Sequence, residues 1–325
     1  MTVRTFVDPS QRLALPPTLP FPETADENAA TPVRVTIVLP CHNEGDHVRL
    51  EIERICAAMD ASEYSYELLA VDDASTDHTL EVLEKAELDF PALKVQAFRR
   101  NSGAGTVRRF GSQSAAGDIV VWTDADMSYP NERIPEFVRT LDEDPSIDQV
   151  VGARTTEEGT YKVLRVSAKW LIRKFAEWLT NERIPDLNSG LRAFRRDVAR
   201  PYLRLLPPGF SCVTTITVAF LANQHGIRFL PIQYAKRAGR SKFRFVRDAY
   251  RYILQVLRMV MYFNPLKALM PLALTLVGVG IAKGVFDVAT HPVRLATNTV
   301  LVFLAGLIIG SLALLADLIV RSRPD

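Results

Sequence analysis

Short aliphatic runs alternate with helix-like stretches along the first half of this 325-residue chain. The runs are residues 33–39, 67–71, 118–122 and 148–151, and the helix-like stretches are residues 45–59, 77–88, 103–116 and 131–143. Strands that alternate with helices favour a largely parallel sheet covered by helices on both faces. The sequence therefore predicts an α/β fold whose binding crevice lies beyond the carboxyl ends of the strands.

Polar and acidic side chains follow three of these runs. The runs lead into PCHNE at residues 40–44, DDASTD at residues 72–77 and TDAD at residues 123–126. Asp77 stands just before a helix-like stretch, and we expect it to cap that helix. Capping does not account for the whole set of acids at this edge, which comprises Glu44, Asp72, Asp73, Asp124 and Asp126.

Asp124 and Asp126 are one residue apart at the end of a buried run. Paired carboxylates suit a hard divalent cation, which takes oxygen ligands. Mg²⁺ commonly binds one or two carboxylates and completes its coordination with water and substrate phosphates. The pair therefore predicts a divalent cation together with a phosphorylated ligand, in particular a diphosphate.

The C-terminal part of the chain differs in composition. Residues 266–286 and 299–320 are apolar runs, each about the length that crosses a hydrocarbon core of ~30 Å. The alternative is a buried helical hairpin in a soluble core. Basic residues precede the first run and follow the second, so the positive-inside rule places both ends in the cytoplasm. We expect a multi-pass protein of the cell membrane whose body faces the cytoplasm.

A dense basic block precedes the first apolar run. Residues 236–258 hold eight Lys and Arg residues and a single acid, Asp248. Within it, residues 241–263 are predicted to form an amphipathic helix in the membrane interface; the alternative is a solvated basic face. Residues 161–180 also favour a helix, in which core packing is the simpler role for the tryptophans and a contact with membrane or acceptor is the alternative.

Overall charge and cysteine content bear on the class of protein. A net charge of +2 gives no indication of nucleic-acid binding, and the three cysteines do not form a disulfide framework. The N-terminal residues lack a basic start followed by an apolar core, so we expect no secretory signal. The predicted organisation is a Pro-rich mobile leader (1–32), a catalytic domain (33–240), a juxtamembrane amphipathic helix (241–264) and two transmembrane helices (265–325).

Four segments occur in an order that resembles family 2 glycosyltransferases: TIVLPCHNEGDHV, VDDASTDHT, RRNSGAGTVRRFGSQSAAGDIVVWTDADMSYP and DLNSGLRAF. Within that family the chain is most similar to polyprenyl-phosphate glycosyltransferases, which include dolichyl-phosphate mannose synthases. The resemblance covers about residues 33–245, and the hairpin after it resembles members with two C-terminal spans. It implies a GT-A type nucleotide-binding domain with a mainly parallel sheet.

The resemblance also implies roles for particular residues. The residues that would bind the nucleotide are Pro40, His42, Glu44, Asp72, Asp73, Asp124 and Arg109. The residues that would bind the metal, Mg²⁺ or Mn²⁺, are Asp124, Asp126 and Ser128. Catalysis falls to Asp186 and Arg192 together with the two metal-binding aspartates. Binding of the acceptor or of phosphate falls to Arg154, Arg165, Lys169, Arg237, Arg240, Ser241 and Lys242. For Asp186, a cap or turn beside Asn188 is the alternative role.

Three positions depart from the family pattern. His42 stands where many members have Tyr, and Ser128 stands where many have Gln, a longer metal ligand. Ala104 replaces the common Lys between two glycines, although Arg109 keeps the downstream cation. These departures leave the identity of the nucleotide open.

The implied reaction transfers a hexose from a nucleotide sugar, of the GDP-mannose or UDP-glucose type, to a polyprenyl or dolichyl phosphate with inversion. One alternative is a processive polysaccharide synthase, but the Gln-x-x-Arg-Trp motif typical of those enzymes is absent from the sequence. The others are a non-catalytic nucleotide-binding membrane scaffold and a soluble-type transferase anchored only for localisation. Association into a homo-oligomer is left open.

Overall fold

The structure is a computed structural model that describes residues 6–7, 32–155, 174, 177, 182–209, 211–235, 265–290 and 296–322. Contacts divide the chain into two compact units. The first comprises residues 1–169 and 183–248, and the second comprises residues 170–182 and 249–325. The domain boundaries predicted above stay predictions.

A mostly parallel sheet forms the centre of the first unit. Its described strands are β1 (Phe6–Val7), β2 (Val35–Cys41), β3 (Tyr66–Asp72), β4 (Leu93–Phe98), β5 (Ile119–Trp122), β6 (Ile147–Arg154), β7 (Arg192–Arg195) and β8 (Gly226–Ile232). They lie in the order β1-β4-β3-β2-β5-β7-β6-β8. Neighbouring strands pair in parallel except β7, which is antiparallel to both β5 and β6. The sheet therefore has the predicted α/β character.

Helices cover the sheet. In the first unit they are α1 (Val48–Asp60), α2 (Thr79–Asp89), α3 (Ala104–Ser114), α4 (Ile134–Glu143), α5 (Arg196–Ala199) and α6 (Cys212–Ala222), with 3₁₀ turns at Asn131–Arg133 and Arg200–Leu205. Helix α1 buries Val48, Ile52, Ile55 and Met59, a spacing that forms one apolar face. Each fully buried aliphatic side chain of this kind contributes about 1.5–3 kcal/mol to stability.

Helix α3 packs against β2 at very short range. A Cβ atom on Gly111 would lie 2.4 Å from Cγ1 of Val38, so the helix approaches the strand this closely only because Gly111 has no side chain. The same helix begins directly after Gly103, whose φ of 86° is in the left-handed region. The Gly103 amide donates a hydrogen bond of 2.8 Å to Asp73, so the helix begins beside the residue that follows β3.

The predicted strands and helices of the first half are confirmed, with ends that shift by up to three residues. The expected cap is displaced by one residue: the N-cap of α2 is His78, which makes no side-chain cap bond, and Asp77 precedes it and accepts a hydrogen bond of 3.0 Å at Oδ1 from the Thr79 amide. Sequence reasoning missed β1, β4, β7 and β8. Of these, β7 is short and carries an arginine at each end, so its apolar pattern is minimal.

The second unit contains two long apolar helices, α7 (Pro265–Thr290) and α8 (Thr297–Arg321). Both are long and apolar enough to cross a membrane, with mean hydropathies of 1.8 and 2.6. Only 11% and 17% of their most apolar windows are buried, whereas the core helix of a soluble protein is mostly buried. The helices pack together through glycines: a Cβ atom on Gly306 would lie 2.8 Å from the Val277 amide nitrogen.

Candidate active site

The carboxyl ends of β2, β3 and β5 lie side by side. Cys41 pairs with Asp72 at the ends of β2 and β3, and Val38 of β2 pairs with Trp122 at the end of β5. Because the strands are parallel neighbours, the polar residues that follow them share one edge of the sheet. These residues are His42, Glu44, Asp73, Asp124 and Asp126, beside Asp72 itself. Pro40 lies within β2, half-buried opposite Val71.

Asp73 fixes the loop that leads into α3. Its carboxylate accepts hydrogen bonds from the amides of Ser102 at 2.6 Å and Gly103 at 2.8 Å. Burial raises the pKa of Asp73 despite these two donors. On the same loop, Asn101 Nδ2 lies 3.2 Å from His42 Nε2. The contacts tie the segments after β2, β3 and β4 to one another.

Asp72 has one carboxylate oxygen without a partner. Oδ2 accepts a hydrogen bond of 3.1 Å from the Ser75 amide, whereas Oδ1 is buried and accepts none among the described residues. Asp72, Phe98 and Arg99 contribute to the wall of a cavity of about 510 Å³. An unpartnered buried acceptor is costly unless a ligand or water completes it. Asp72 is therefore suited to accept a hydrogen bond from a bound molecule.

Glu44 and Arg109 are two further residues predicted to bind the nucleotide. The backbone amide of Glu44 donates to Thr79 Oγ1 at 2.9 Å, which joins the start of α1 to the start of α2. Arg109 lies on α3, yet the side chain that extends from this helix to Asp124 belongs to its neighbour Arg108. Sequence reasoning assigned the cation of this helix to Arg109 and missed Arg108.

Arg108 and Asp124 form a buried ion pair. Nη2 of Arg108 lies 2.5 Å from Oδ1 of Asp124, and the arginine side chain is only 1% exposed, against 28% for the aspartate. Burial opposes the charge on the guanidinium, but Asp124 and the adjacent Cys212 outweigh it and raise the pKa of Arg108. The second oxygen of Asp124 accepts no hydrogen bond from the described residues.

Gly190 brings a second segment against Asp124. A Cβ atom at this position would lie 2.8 Å from Asp124 Oδ2 and 3.2 Å from Arg108 Nη2, so a larger residue would displace the pair. The Gly190 amide also donates a hydrogen bond of 2.7 Å to the Tyr129 hydroxyl. The backbone at Gly190 thus lies close to Asp124 because this residue has no side chain.

Two donors of its own loop bond to Asp126. The amide of Ser128 donates to Asp126 Oδ1 at 3.2 Å, and the Ser128 hydroxyl donates to the same oxygen. The loop between the two residues turns sharply at Met127, whose φ is 62°. Because the Ser128 hydroxyl is bonded to Asp126 and fully buried, its placement does not support direct binding of a metal by Ser128.

A buried polar network holds this loop from beneath. Thr123 Oγ1 donates to Asn131 Oδ1 at 2.5 Å, and Asn131 Nδ2 donates to Glu51 Oε1 at 2.7 Å. All three side chains are fully buried. Sequence reasoning missed the network, although a signal existed: Glu51 interrupts the apolar face of α1 between Val48 and Ile52.

Asp186 and Arg154 are brought together from distant parts of the chain. Arg154 Nε and Nη2 donate to the two oxygens of Asp186 at 2.6 Å and 3.0 Å. Burial opposes ionisation of the carboxyl, but the Arg154 guanidinium outweighs it and holds the pKa of Asp186 below its ordinary value. Arg154 also lies over the Tyr234 ring, 5.2 Å from its centroid. The Asn188 amide donates to Asp186 Oδ1 at 2.9 Å, so Asp186 makes the turn contact of the alternative role too.

Arg192 does not share this exposed edge. It is fully buried, and Nη1 donates to Val213 O and Thr217 Oγ1, both at 2.9 Å. Nη2 donates to the carbonyl oxygen of Ser189. Burial and the nearby charge of Arg108 lower the pKa of Arg192 to about 10. This placement does not support the expected catalytic role: Arg192 joins α6 to the loop before β7.

The remaining predicted site residues lie outside the described part of the chain. They are Arg165, Lys169, Arg237, Arg240, Ser241 and Lys242. Both the predicted amphipathic helix at residues 241–263 and nearly all of the predicted helix at residues 161–180 fall there as well.

The donor set at the edge fits a divalent cation that draws part of its coordination from elsewhere. Among the described residues, no group of three or more His, Cys, Asp and Glu side chains could hold a metal. Asp124, however, has an oxygen open beside Asp126, and two carboxylates suit a cation that completes its shell with water and phosphate oxygens.

Two family profiles match the chain. The profile of Glycosyl transferase family 2 matches residues 36–203, and that of the GtrB C-terminal hairpin matches residues 264–322. Undecaprenyl-phosphate 4-deoxy-4-formamido-L-arabinose transferase of Salmonella paratyphi A is 30% identical over 226 residues, 68% of this chain and 65% of that protein. Its counterpart in Edwardsiella ictaluri is 31% identical over 215 residues, 64% and 62% of the two chains. The chain thus spans less than two thirds of these relatives.

Solved structures of similar fold have GT-A architecture. Glucosyl-3-phosphoglycerate synthase of Mycobacterium tuberculosis, crystallised with Mn²⁺, UDP-glucose and glycerol 3-phosphate, aligns with a TM-score of 0.56 at 20% identity, over 70% of this chain and 80% of that one. Mannosyl-3-phosphoglycerate synthase of Rubrobacter xylanophilus aligns with a TM-score of 0.53 at 19% identity, over 70% and 72%. The chain has a GT-A type fold and belongs to glycosyl transferase family 2.

Proposed function

We propose that the protein transfers a sugar from a nucleoside-diphosphate sugar to a polyprenyl phosphate. The observation that carries the proposal is the row of carboxylates at the ends of β2, β3 and β5, with Asp72 and Asp124 each offering an oxygen that the described residues leave open. Support for the lipid acceptor comes from the relatives, which are named undecaprenyl-phosphate transferases. We expect a hexose donor of the GDP-mannose or UDP-glucose type.

Asp72 and Asp73 are proposed to bind the nucleoside with His42, Glu44, and Pro40. Asp72 Oδ1 would accept an N–H or O–H of the nucleoside, because the cavity beside it is large enough for a ring and no described residue bonds to this oxygen. Asp73 acts one step removed, since it holds the loop of residues 101–103 through two amides.

Asp124 and Asp126 are proposed to hold Mg²⁺ or Mn²⁺, which as a Lewis acid would neutralise charge on the departing nucleoside diphosphate. The protein's own contribution is the fixed orientation of both carboxylates, set by Arg108, Ser128 and the network beneath the loop. Such preorganisation supplies most of the rate enhancement expected at a site of this kind.

The acceptor is a phosphate monoester, which is already anionic at neutral pH because its second pKa is about 6. It therefore has little need of a strong general base. Arg154 is proposed to bind its phosphate, and Asp186 to orient the acceptor or to stabilise positive charge developing on the sugar ring. Direct attack by the phosphate would invert the anomeric centre, so an α-linked donor would give a β-linked product. An α linkage in the product, identified by NMR, would contradict this step.

A polyprenyl phosphate keeps its chain in the bilayer and its phosphate at headgroup level. The two apolar helices of the second unit are of the right length to hold the protein in that membrane. We propose a multi-pass protein of the cell membrane with its catalytic domain on the cytoplasmic side. Basic residues flank the two spans, and such residues favour the cytoplasmic side of a membrane.

The decisive experiment incubates purified full-length protein in detergent with a panel of nucleotide sugars, Mg²⁺ or Mn²⁺ and a polyprenyl phosphate. Mass spectrometry then identifies the lipid product. Asp124→Asn should lower kcat/KM by about 100-fold or more. Asp118→Asn is the matched control, because Asp118 is 67% exposed and precedes the opposite end of β5. A variant at Asp124 with native turnover would support a scaffold, and polymeric product would support a processive synthase.

A further inference from the structure

Arg108 is the feature of the site that the proposed reaction does not explain. It sits in the second turn of α3 with its side chain 1% exposed, and Nη2 bonds to Oδ1 of Asp124. Its other terminal nitrogen lies 3.6 Å from Cys212 Sγ. Asp124 is the only carboxylate bonded to Arg108 within the described residues. A buried guanidinium thus compensates the charge of one of the two proposed cation ligands.

A second buried cation stands close by. The guanidinium carbons of Arg108 and Arg192 lie 5.6 Å and 5.9 Å from the ring centroid of Trp122, and Trp122 is fully buried two residues before Asp124. Positive charge in a poorly solvated setting is weakly screened, so it acts on neighbouring ligands more strongly than a surface charge would. A cation approaching Asp124 Oδ2 therefore meets a carboxylate whose charge is already balanced.

A nucleoside diphosphate would change that balance by bringing several negative charges to the site. We propose that Arg108 makes binding of a divalent cation at Asp124 conditional on a bound nucleoside diphosphate, an inference that rests on the proposed donor class. Arg108 is then a positioning and charge-balancing residue: it leaves Asp124 Oδ2 open but withholds enough negative charge that the metal binds tightly only together with the nucleotide.

The test measures Mn²⁺ binding to full-length protein in detergent by the EPR signal of free Mn²⁺, alone and with UDP or GDP. Protein-free titrations correct for Mn²⁺ bound to the nucleotide. In the native protein, UDP or GDP should tighten Mn²⁺ binding by at least about tenfold. In Arg108→Met, Mn²⁺ alone should bind at least about tenfold more tightly than in the native protein, which removes most of the dependence on nucleotide.

Two further variants control this result. Arg108→Lys keeps the charge and should retain weak binding of Mn²⁺ alone. Arg49→Met removes an exposed arginine from α1 and should change nothing. The near-ultraviolet circular dichroism of the aromatic side chains checks that each variant is folded. Should Arg108→Met fail to fold, Arg108→Gln, which also removes the charge but keeps hydrogen-bond donors, takes its place in the same titration.

The outcomes separate the inference from the proposed function. Native protein that binds Mn²⁺ equally tightly with and without nucleotide would overturn the role of Arg108, as would weaker binding of Mn²⁺ alone in folded Arg108→Met. Both results leave the transfer reaction standing if nucleotide still binds and product still forms. Native protein that binds neither nucleotide in the presence of Mn²⁺ would overturn both proposals.

Discussion

Asn131 is the central residue of the polar network beneath the proposed metal-binding loop, because it bonds to both of the other members. Its side chain accepts from Thr123 and donates to Glu51, and none of the three side chains is exposed. Asn131→Ala would leave the buried Thr123 hydroxyl without its acceptor and would leave Glu51 Oε1 with the longer bond of 3.2 Å from Arg54 Nη1. Each such group costs about 1–3 kcal/mol, so the substitution should lower the free energy of unfolding by about 3 kcal/mol.

The loss should appear in both stability and activity. A change of about 3 kcal/mol corresponds to a fall of about 6–12 °C in the midpoint of thermal unfolding for a domain of this size. Because the loop of residues 124–128 loses its support, kcat/KM should also fall by about 10–100-fold, as is typical when partners of metal ligands are removed. Thermal unfolding in detergent and the lipid-product assay measure the two effects.

A double-mutant cycle makes the test specific. Thr123→Val removes the donor to Asn131, so the two substitutions together should cost about 1 kcal/mol or more less than the sum of their separate effects. Glu53→Ala, on the half-exposed side of α1, should cost less than about 1 kcal/mol because its ion pair with Arg49 is solvated. Additive effects of the pair, or an Asn131→Ala variant as stable as the native protein, would refute the reasoning.

Three other perturbations have defined outcomes. The depressed pKa of Asp186 means that its contribution to stability is present above the ordinary pKa of ~3.9 and is lost only as the pH falls below that value. In Arg154→Met burial dominates and raises this pKa, so unfolding midpoints of the variant should fall as the pH rises from about 4 towards 7, whereas this group leaves those of the native protein unchanged over the same range. Gly306→Leu should lower the thermal midpoint of the full-length protein because a side chain there meets the backbone of the facing helix, whereas Gly278→Leu, with nothing within 4 Å, should not. Asp72→Asn should weaken binding of UDP or GDP by about tenfold in calorimetry, since the open oxygen loses its charge.

The strands of the first half were predictable because their pattern is local. Runs such as residues 35–41 are apolar at every position but Thr36, as is typical of strands buried on both faces. Strand β7 is different: its four residues become a strand only by pairing with β5 on one side and β6 on the other. Those partners lie about 40–75 residues away along the chain, and no local pattern records them.

The acids at the sheet edge were predictable for a related reason, because parallel strands bring their ends together whatever else the fold contains. The sequence did not indicate, however, that Arg108 rather than Arg109 would contact Asp124. Adjacent residues on a helix point about 100° apart, so the answer depends on the rotation of α3 about its axis. Gly105 and Gly111 reveal that rotation, since both are sites of close backbone approach and Arg108 lies three residues from each. Their meaning emerges only once the neighbouring backbone is known.

Two carboxylates one residue apart repel each other, and the fold resolves this in two different ways. Asp124 is balanced by a full positive charge from α3, whereas Asp126 is stabilised by the amide and hydroxyl of Ser128 in its own loop. A charged partner cancels the field of a carboxylate, but neutral donors leave its net charge in place while lowering its energy. The two carboxylates are consequently oriented by different kinds of contact, a buried guanidinium for Asp124 and donors of its own loop for Asp126. This division lets the loop stay ordered before any ligand arrives, because neither carboxylate relies on a cation to offset its neighbour.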